Sequence, residues 1–217
     1  SKKVMEKKSF IKDKINVLII GDSHGSDTLN IFTSNDKLFS KYDFVHTSIF
    51  DIKTLSNDNS FINSDIVLLS FRWSKKYVPD ILDNLIPFLK KKEKKIIISS
   101  NSNEYKVSSK IYTLIDQIVL FSDKKIDYFG YKELYFDSRV IHSESDINVL
   151  LKNFSKKNSI EFFNKEDYLC NIVKSECDYL TPDGYKIYYD YGHYTKNGAK
   201  YFGKKVYDLN LFEFYID

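Results

Sequence analysis

The chain has 217 residues, a length typical of one domain or of one domain with a small second one. Hydrophobic residues make up 42% of it and charged residues 29%, and the presence of 17 Tyr and 17 Phe excludes a disordered protein. The net charge of +3, from 33 basic and 30 acidic residues, gives no strong attraction to nucleic acid or to an anionic membrane. We therefore expect a soluble globular protein without a nucleic-acid partner.

The N-terminal residues differ from the rest of the chain. Residues 1–14 are charged and aperiodic, and they lack the apolar centre of a signal peptide. No stretch of the sequence approaches the roughly 18 apolar residues that a membrane-spanning helix needs. We interpret residues 1–14 as a linker or disordered segment and residues 15–217 as a single domain.

Apolar strands and amphipathic helices alternate along the chain. Runs of β-branched and apolar residues predict strands at Asn16–Ile20, Asp43–Phe50, Asp65–Phe71, Lys95–Ser99 and Ser159–Phe163. Helical spacing of apolar residues predicts helices at Asp27–Phe32, Val78–Lys91 and Ile147–Phe154, and a last helix that Thr195 caps. Glu104–Ile115 is predicted to be helical and Gln117–Phe121 to be extended. The basic run Lys90–Lys95 is interpreted as a solvated helix end and turn rather than a phosphate-binding patch.

This alternation predicts an α/β fold, with a mostly parallel sheet covered by helices on both faces in a three-layer α/β/α arrangement. In such folds the active site lies beyond the C-terminal ends of the strands. The segment Gly21–Gly25 follows the first predicted strand and therefore lies at the expected site.

Ser23 occupies the turn between the first strand and the next helix. A serine hydroxyl is a poor nucleophile by itself, so it needs a base, and the base needs an orienting partner. At such a turn the hydroxyl can protrude while N–H groups at the helix start face a developing oxyanion. The position favours a nucleophile, although Gly-Asp-Ser after a strand is also a common structural turn.

Asp190 and His193 lie three residues apart near the other end of the chain. This spacing can place both side chains on one side of a helical turn, where the carboxylate bonds the imidazole. That bond would fix the imidazole tautomer and leave the second ring nitrogen to accept the Ser23 proton. Each motif alone is weak, but together they predict a catalytic triad.

These motifs resemble those of the SGNH (GDSL-type) hydrolase superfamily. Gly21-Asp22-Ser23 corresponds to its first block and Asp190-x-x-His193 to its last, and their order and spacing match over residues 15–210. The resemblance implies the SGNH hydrolase fold, which is flavodoxin-like with a mostly parallel central sheet. It also implies that Ser23, Asp190 and His193 are catalytic.

A closer likeness is to the SGNH domains attached to membrane acyltransferases that O-acetylate bacterial surface polysaccharides. Such domains tend to show Gly-Asp-Ser-His, Arg-Trp after a strand, and two cysteines before Asp-x-x-His-x-Ser/Thr-x-x-Gly-Ala. The corresponding segments here are Gly21–His24, Arg72-Trp73, Cys170 with Cys177, and Asp190–Ala199. The resemblance implies a Cys170–Cys177 disulfide and an extracytoplasmic location, in the periplasm or at the cell surface, tethered to the membrane in the full-length protein. Two reduced cysteines and a cytoplasmic location are the alternative.

The chain departs from the superfamily pattern at two oxyanion donors. The third block, Gly-x-Asn-Asp, is replaced by Ser70–Trp73, and the glycine of the second block has no counterpart between residues 46 and 64. The Ser23 N–H remains as a donor. Arg72 stands at the place of the asparagine, so it is a candidate oxyanion donor or substrate ligand, with an exposed strand-end charge as the alternative.

Three further residues complete the set of oxyanion or substrate candidates. Ser70 competes with Arg72 for the donor role. Trp73 either stacks on a sugar or belongs to the core, and we favour the core. His24 either lines the pocket or has a capping or surface role.

Other polar residues predict no additional chemistry. His46 and His142 are interpreted as structural, and the absence of a metal-ligand spacing predicts neither a metal site nor a bound cofactor. The spacing Gly21-x-x-x-Gly25 is too short for a nucleotide-binding fingerprint.

The sequence thus predicts a serine acyl-transfer enzyme, a carbohydrate O-acetyltransferase that acts on a bacterial surface polysaccharide through an acyl-Ser23 intermediate. An acetyl donor is the expected co-substrate. The expected partners are a polysaccharide or oligosaccharide and a membrane acyltransferase domain or protein that supplies acyl groups. A carbohydrate acetylesterase with the same triad and an inactive SGNH-like carbohydrate-binding module are the alternatives.

Overall fold

The computed structural model describes residues 10, 13–76, 78–106, 113–121, 128–140 and 144–212. The chain divides into two compact units, the first formed by Ser1–Asn101 and Ser143–Asn164 and the second by Ser102–His142 and Lys165–Asp217. Most of the predicted linker at residues 1–14 lies outside the described residues, and so does His142.

The first unit contains a five-stranded parallel sheet. Its strands are β1 (Ile15–Ile20), β2 (Tyr42–Thr47), β3 (Ile66–Leu69), β4 (Lys95–Ser99) and β5 (Glu161–Phe163). They are arranged in the order β2-β1-β3-β4-β5, and all four pairs are parallel. This is the flavodoxin-like order of a doubly wound sheet. The predicted α/β fold with a mostly parallel sheet is therefore confirmed.

Helices lie in both units of the described chain. They are α1 (Ser23–Thr33), α2 (Asp36–Lys41), α3 (Ile52–Leu55), α4 (Asn59–Ile62), α5 (Val78–Asp80), α6 (Ile86–Lys91), α7 (Leu114–Phe121), α8 (Tyr128–Asp137), α9 (Glu144–Lys157), α10 (Glu166–Leu169) and α11 (Lys196–Asp208). As predicted, Thr195 caps α11, because its hydroxyl accepts the Gly198 N–H at 3.0 Å.

The helix predicted at Val78–Lys91 contains a wide π-helical segment, Ile81–Leu85, between α5 and α6. There the Ile86 N–H bonds the carbonyl of Ile81, five residues earlier. Pro87 explains the widening, because a proline lacks the N–H for the usual bond and its ring would clash with the carbonyl four residues before it.

The core of the first unit forms where the strands are apolar on both faces. In β1, the side chains of Val17, Leu18, Ile19 and Ile20 are all fully buried. β3 and β4 add Leu68, Leu69, Ile97 and Ile98, which are also fully buried. Burial on both faces is what a parallel sheet requires, and it explains why these strands appear in the sequence as continuous apolar runs.

The second unit contains α7, α8, α10, α11 and a short antiparallel hairpin, β6 (Cys170–Asn171) and β7 (Glu176–Cys177). Its interior is rich in tyrosine. The hydroxyls of Tyr105 and Tyr188 lie 3.0 Å apart, and both side chains are buried. Burial raises the pKa of each phenol well above its usual value, so both remain neutral.

Two weakly patterned segments differ from their predictions. Gln117–Phe121 was expected to be extended but lies in α7. A capping box explains the helix, since the Asp116 carboxylate accepts the Thr113 N–H at 3.0 Å while the Thr113 hydroxyl accepts the Asp116 N–H at 3.3 Å. The predicted helix at Glu104–Ile115 is wrong at its start, because Tyr105 forms an antiparallel bridge with Arg139. Residues 107–112 lie outside the described residues.

Candidate active site

Asp22 organises the turn that presents Ser23. β1 ends at Ile20 and α1 begins at Ser23, so Asp22 is the N-cap of the helix. Its Oδ1 accepts the His24 N–H at 2.9 Å, and its Oδ2 accepts the Arg72 N–H at 3.0 Å. Asp22 therefore connects the turn both to the start of α1 and to the segment that follows β3. Ser23 is exposed at this helix N-terminus.

The two glycines of this turn have no space for a side chain. A Cβ on Gly21 would collide with the backbone carbonyl of Ser70. A Cβ on Gly25 would lie 2.9 Å from the same carbonyl oxygen and 3.0 Å from Nε2 of His46. The turn thus packs directly on the backbone at the end of β3, and this close approach explains the Gly21-x-x-x-Gly25 spacing.

His46, in β2, bonds the same turn. Its Nε2 lies 3.1 Å from the Gly21 carbonyl oxygen, and its Nδ1 lies 3.4 Å from the Ser26 hydroxyl. Because a carbonyl oxygen can only accept, Nε2 carries a proton, and the Ser26 hydroxyl can pair with Nδ1 either as donor or as acceptor. These bonds support a structural role for His46.

Three of the four predicted oxyanion or substrate ligands are buried. The exposed fractions are 0% for Ser70, 1% for His24 and 1% for Trp73, so none of these side chains presents surface to a substrate. This burial agrees with the core position favoured for Trp73, whereas the oxyanion or substrate roles of Ser70 and His24 stay predictions. Arg72 is exposed, as its candidate role requires.

Packing around β3 and β4 explains the burial of Ser70 and Trp73. The Ser70 hydroxyl forms a 2.8 Å hydrogen bond with the Thr28 hydroxyl, and the Trp73 indole N–H donates to the Ser99 carbonyl at 2.7 Å. Asn101, which the sequence analysis did not single out, accepts the Trp73 N–H at 2.7 Å and donates to the Trp73 carbonyl at 3.1 Å. The sequence signal for a structural or site role of Asn101 was its position in a polar run directly after the buried strand β4.

In the second unit, Asp190 and His193 form the hydrogen-bonded pair that their spacing suggested. Asp190 Oδ2 lies 2.8 Å from His193 Nδ1. Oδ1 accepts the N–H groups of Gly192 at 3.0 Å and of His193 at 2.8 Å. Since an ionised carboxylate only accepts, Nδ1 carries a proton, and in the neutral imidazole Nε2 is then the nitrogen with the lone pair that a general base needs.

The environment of Asp190 favours its ionised form. Burial raises the pKa of this carboxyl, but the N–H groups of Gly192 and His193 and the imidazole of His193 together lower it more. The pKa of Asp190 therefore lies below its usual value. An ionised Asp190 can both fix the tautomer of His193 and stabilise the imidazolium that forms when His193 accepts a proton.

Backbone hydrogen bonds fix the segment that carries this pair. The Tyr189 N–H donates to the carbonyl of His193 at 3.0 Å, and the Tyr105 N–H donates to the carbonyl of Tyr191 at 2.8 Å. The His193 side chain is 11% exposed. His193 thus has a defined position within its unit and retains some accessible surface.

Cys170 and Cys177 form a disulfide that links β6 to β7. The side-chain amide of Asn103 donates to the Cys170 sulfur at 2.9 Å. The compartment in which this bond forms stays a prediction.

The structure joins Asp190 to His193 in the second unit and Asp22 to the backbone around Ser23 in the first. The pairing of His193 with Ser23 remains a prediction. Among the described residues, no group of three or more His, Cys, Asp or Glu side chains is arranged to bind a metal ion.

A sequence model of the family described as SGNH domain (fused to AT3 domains) matches residues 46–208. This match covers more than half of the chain and includes Asp190 and His193. The chain belongs to this family. The match begins after Gly21–Gly25, so the assignment of Ser23 depends on the residues themselves. A search of curated proteins gives no significant match.

Solved structures show the same fold. The periplasmic domain of a lipopolysaccharide acetyltransferase from Salmonella ser. Paratyphi A aligns with a TM-score of 0.64 at 21% identity, over 95% of this chain and 85% of that one. A GDSL-like lipase from Bacteroides thetaiotaomicron aligns with a TM-score of 0.53 at 10% identity, over 95% and 92%. The SGNH fold expected from the sequence motifs is confirmed. In the part of the chain that the structure describes, no helix has both the length and the hydropathy to cross a membrane.

Proposed function

We propose that this SGNH domain is an O-acetyltransferase that moves an acetyl group through Ser23 onto a sugar hydroxyl of a bacterial surface polysaccharide. The observation that carries the proposal is the 2.8 Å bond between Asp190 and His193, because it leaves Nε2 of His193 as the proton acceptor. Acyl transfer through Ser23 requires such an oriented base, and a binding module does not.

The chemistry follows from these side chains. Ser23 Oγ attacks the carbonyl carbon of the acetyl donor while its proton passes to His193 Nε2. The tetrahedral intermediate collapses to acetyl-Ser23, and His193 returns the proton to the leaving group. A sugar hydroxyl then attacks acetyl-Ser23 with His193 again as the base. The Ser23 N–H, at the start of α1, and the exposed Arg72 are the proposed oxyanion donors.

Family membership supports a membrane acyltransferase as the source of the acetyl group. AT3 domains are the membrane acyltransferases to which SGNH domains of this family are fused, so an AT3 domain or protein is the proposed source of acetyl groups. The Salmonella domain of similar fold belongs to a lipopolysaccharide acetyltransferase and is periplasmic. We extend both properties to this chain as proposals: a polysaccharide acceptor and an extracytoplasmic location.

Product analysis tests the proposal. The protein is incubated with 4-nitrophenyl acetate, with and without oligosaccharide, and products are identified by mass spectrometry. Acetylated oligosaccharide from the wild type, absent with Ser23→Ala and His193→Ala, is the expected result. Ser40→Ala, which removes an exposed serine from α2, is the matched control and should behave as the wild type. Acetate alone would indicate an esterase, and no turnover would indicate a binding module; either outcome would contradict the proposal.

A further inference from the structure

Tyr189 places an exposed aromatic ring beside the proposed base. Its side chain is 55% exposed. Its ring is nearly parallel to the imidazole of His193, with an angle of 18° between the planes and 5.7 Å between the ring centroids. Tyr191 also contacts the imidazole but meets it edge-on, at 77° and 5.4 Å. Tyr189 is therefore the ring that lies nearly parallel to the imidazole of His193 and is also exposed to solvent.

The position of Tyr189 relative to His193 is defined by the backbone. The Tyr189 N–H donates to the His193 carbonyl at 3.0 Å, and the flanking residues Tyr188 and Tyr194 pair in an antiparallel bridge. Tyr188 is buried, with 2% of its surface exposed. The Tyr189 ring and the His193 imidazole thus belong to one tight turn. The residues that flank this turn, Tyr188 and Tyr194, are buried in the second unit.

This arrangement suits a sugar ring. Near-parallel rings whose centroids are 5.7 Å apart must be displaced sideways, since directly stacked rings would lie closer. A pyranose packed with its C–H face on Tyr189 would therefore lie beside the imidazole, at about the height of the imidazole plane. The hydroxyls of a pyranose project from its edge, which would bring one of them toward His193.

We propose that Tyr189 is the platform that binds the acceptor sugar and orients its hydroxyl toward His193. The inference rests on the proposed function and names the residue that selects a sugar over water. It also assigns sugar stacking to an exposed ring, whereas Trp73, for which we favoured the core, is buried. In the step concerned, the sugar oxygen attacks the carbonyl carbon of acetyl-Ser23 and its proton passes to His193 Nε2. The bond from that carbon to Ser23 Oγ breaks, and Oγ takes the proton from His193.

A partition experiment tests this role. The protein turns over 4-nitrophenyl acetate in the presence of methyl glycosides of glucose, galactose, rhamnose and N-acetylglucosamine, each at several concentrations. The measured quantity is the ratio of acetylated glycoside to free acetate. Because both products come from the same acetyl-enzyme, this ratio does not depend on donor binding or on the rate of acylation.

The variants separate stacking from other effects. Tyr189→Ala should lower the ratio about tenfold, whereas Tyr189→Phe, which keeps the ring, should stay within about twofold of the wild type. Tyr185→Ala is the control, because Tyr185 is an equally exposed tyrosine of the same unit, at 56%. It should leave the ratio unchanged.

Three results would overturn the proposal. An unchanged ratio in Tyr189→Ala would show that the ring does not bind the acceptor. Equal losses in Tyr189→Ala and Tyr185→Ala would show an effect that is not specific to the platform. Ester hydrolysis by the wild type without transfer to any glycoside would contradict both the platform and the proposed transferase, while leaving Ser23 as nucleophile. Normal transfer by the wild type with an unchanged ratio in Tyr189→Ala would contradict the platform alone, and absence of any acetyl-enzyme would contradict the proposed function as a whole.

Discussion

Two aspartates fix the proposed nucleophile and base by the same device. Each uses both carboxylate oxygens, and each accepts backbone N–H groups near the residue it positions: Asp22 from His24 and Arg72, and Asp190 from Gly192 and His193. The role of Asp22 as a helix N-cap was accessible from the sequence, since it stands between a buried strand and a helix. Its bond to Arg72 was not, because that contact joins residues 50 positions apart.

Asp190→Asn tests the function of the carboxylate. The amide can still accept one backbone N–H, but its NH₂ group would face Nδ1 and favour the wrong imidazole tautomer. We expect kcat for ester hydrolysis to fall by about 10⁴ with little change in thermal stability. A variant that retains more than a tenth of wild-type kcat would show that His193 does not depend on Asp190.

Arg72→Ala tests the proposed oxyanion donor. Loss of one donor should lower kcat by roughly 10²–10³ with little change in KM, because the interaction forms only in the transition state. A rise in KM at constant kcat would instead assign Arg72 to substrate binding. If neither constant changes, Arg72 is a surface charge.

At the scale of elements, ion pairs and a disulfide connect the short elements of the second unit. Asp178, directly after β7, accepts from Lys132 of α8 at 2.9 Å and from Lys205 of α11 at 3.1 Å. The Tyr201 hydroxyl donates to it at 2.8 Å. No local pattern indicates this cluster, because Lys132, Tyr201 and Lys205 each lie more than 20 residues from Asp178 and only folding brings them to it.

Asp178→Asn should show the electrostatic contribution of this cluster. Burial raises the pKa of Asp178, but Lys205, Lys132 and Tyr201 lower it more, so the net pKa lies below the usual value. A carboxyl with a lowered pKa stabilises the fold above its unfolded pKa of about 4, and this contribution is lost as the pH falls through the folded pKa. At pH 7 we expect a loss of roughly 1–3 kcal/mol in the free energy of unfolding.

Thermal unfolding of the wild type and Asp178→Asn between pH 7 and pH 2 measures this. The difference in the free energy of unfolding between the wild type and Asp178→Asn should shrink below about pH 4 and then vanish. Asp208→Asn is the control, because its pair with Lys204 in α11 is exposed and should contribute little. A constant difference across the pH range would contradict an electrostatic role for Asp178.

Replacement of both cysteines tests the β6–β7 hairpin. Residues 170–177 form a short loop, so the chain-entropy estimate gives a stabilisation of about 2–3 kcal/mol for the Cys170–Cys177 bond. The double variant Cys170→Ser, Cys177→Ser should have a free energy of unfolding that is lower by that amount, as measured by denaturant unfolding, and reduced wild type should behave like it. Equal stability of oxidised and reduced wild type would argue against a structural disulfide, and with it against the predicted export.

At the scale of the whole molecule, the sequence predicts the sheet better than it predicts the second unit. Buried parallel strands need continuous apolar runs, so β1, β3 and β4 were visible directly, whereas the flavodoxin-like strand order was implied only by the resemblance to the SGNH superfamily. The second unit is built from short elements joined by loops and side-chain contacts, and there periodicity failed, as at Gln117–Phe121. The burial of Ser70 depends on a neighbour distant in sequence, Thr28, and no local pattern encodes that contact. Whether residues 15–217 fold as a single domain remains a prediction.

The central claim is that Ser23 forms a covalent acyl intermediate. Labelling with a fluorophosphonate, followed by intact mass and peptide mapping, measures this directly. We expect one adduct per chain, located on Ser23, absent in Ser23→Ala and strongly slowed in His193→Ala. Ser40→Ala should label as the wild type does. An adduct on another serine, or undiminished labelling of Ser23→Ala, would contradict the account.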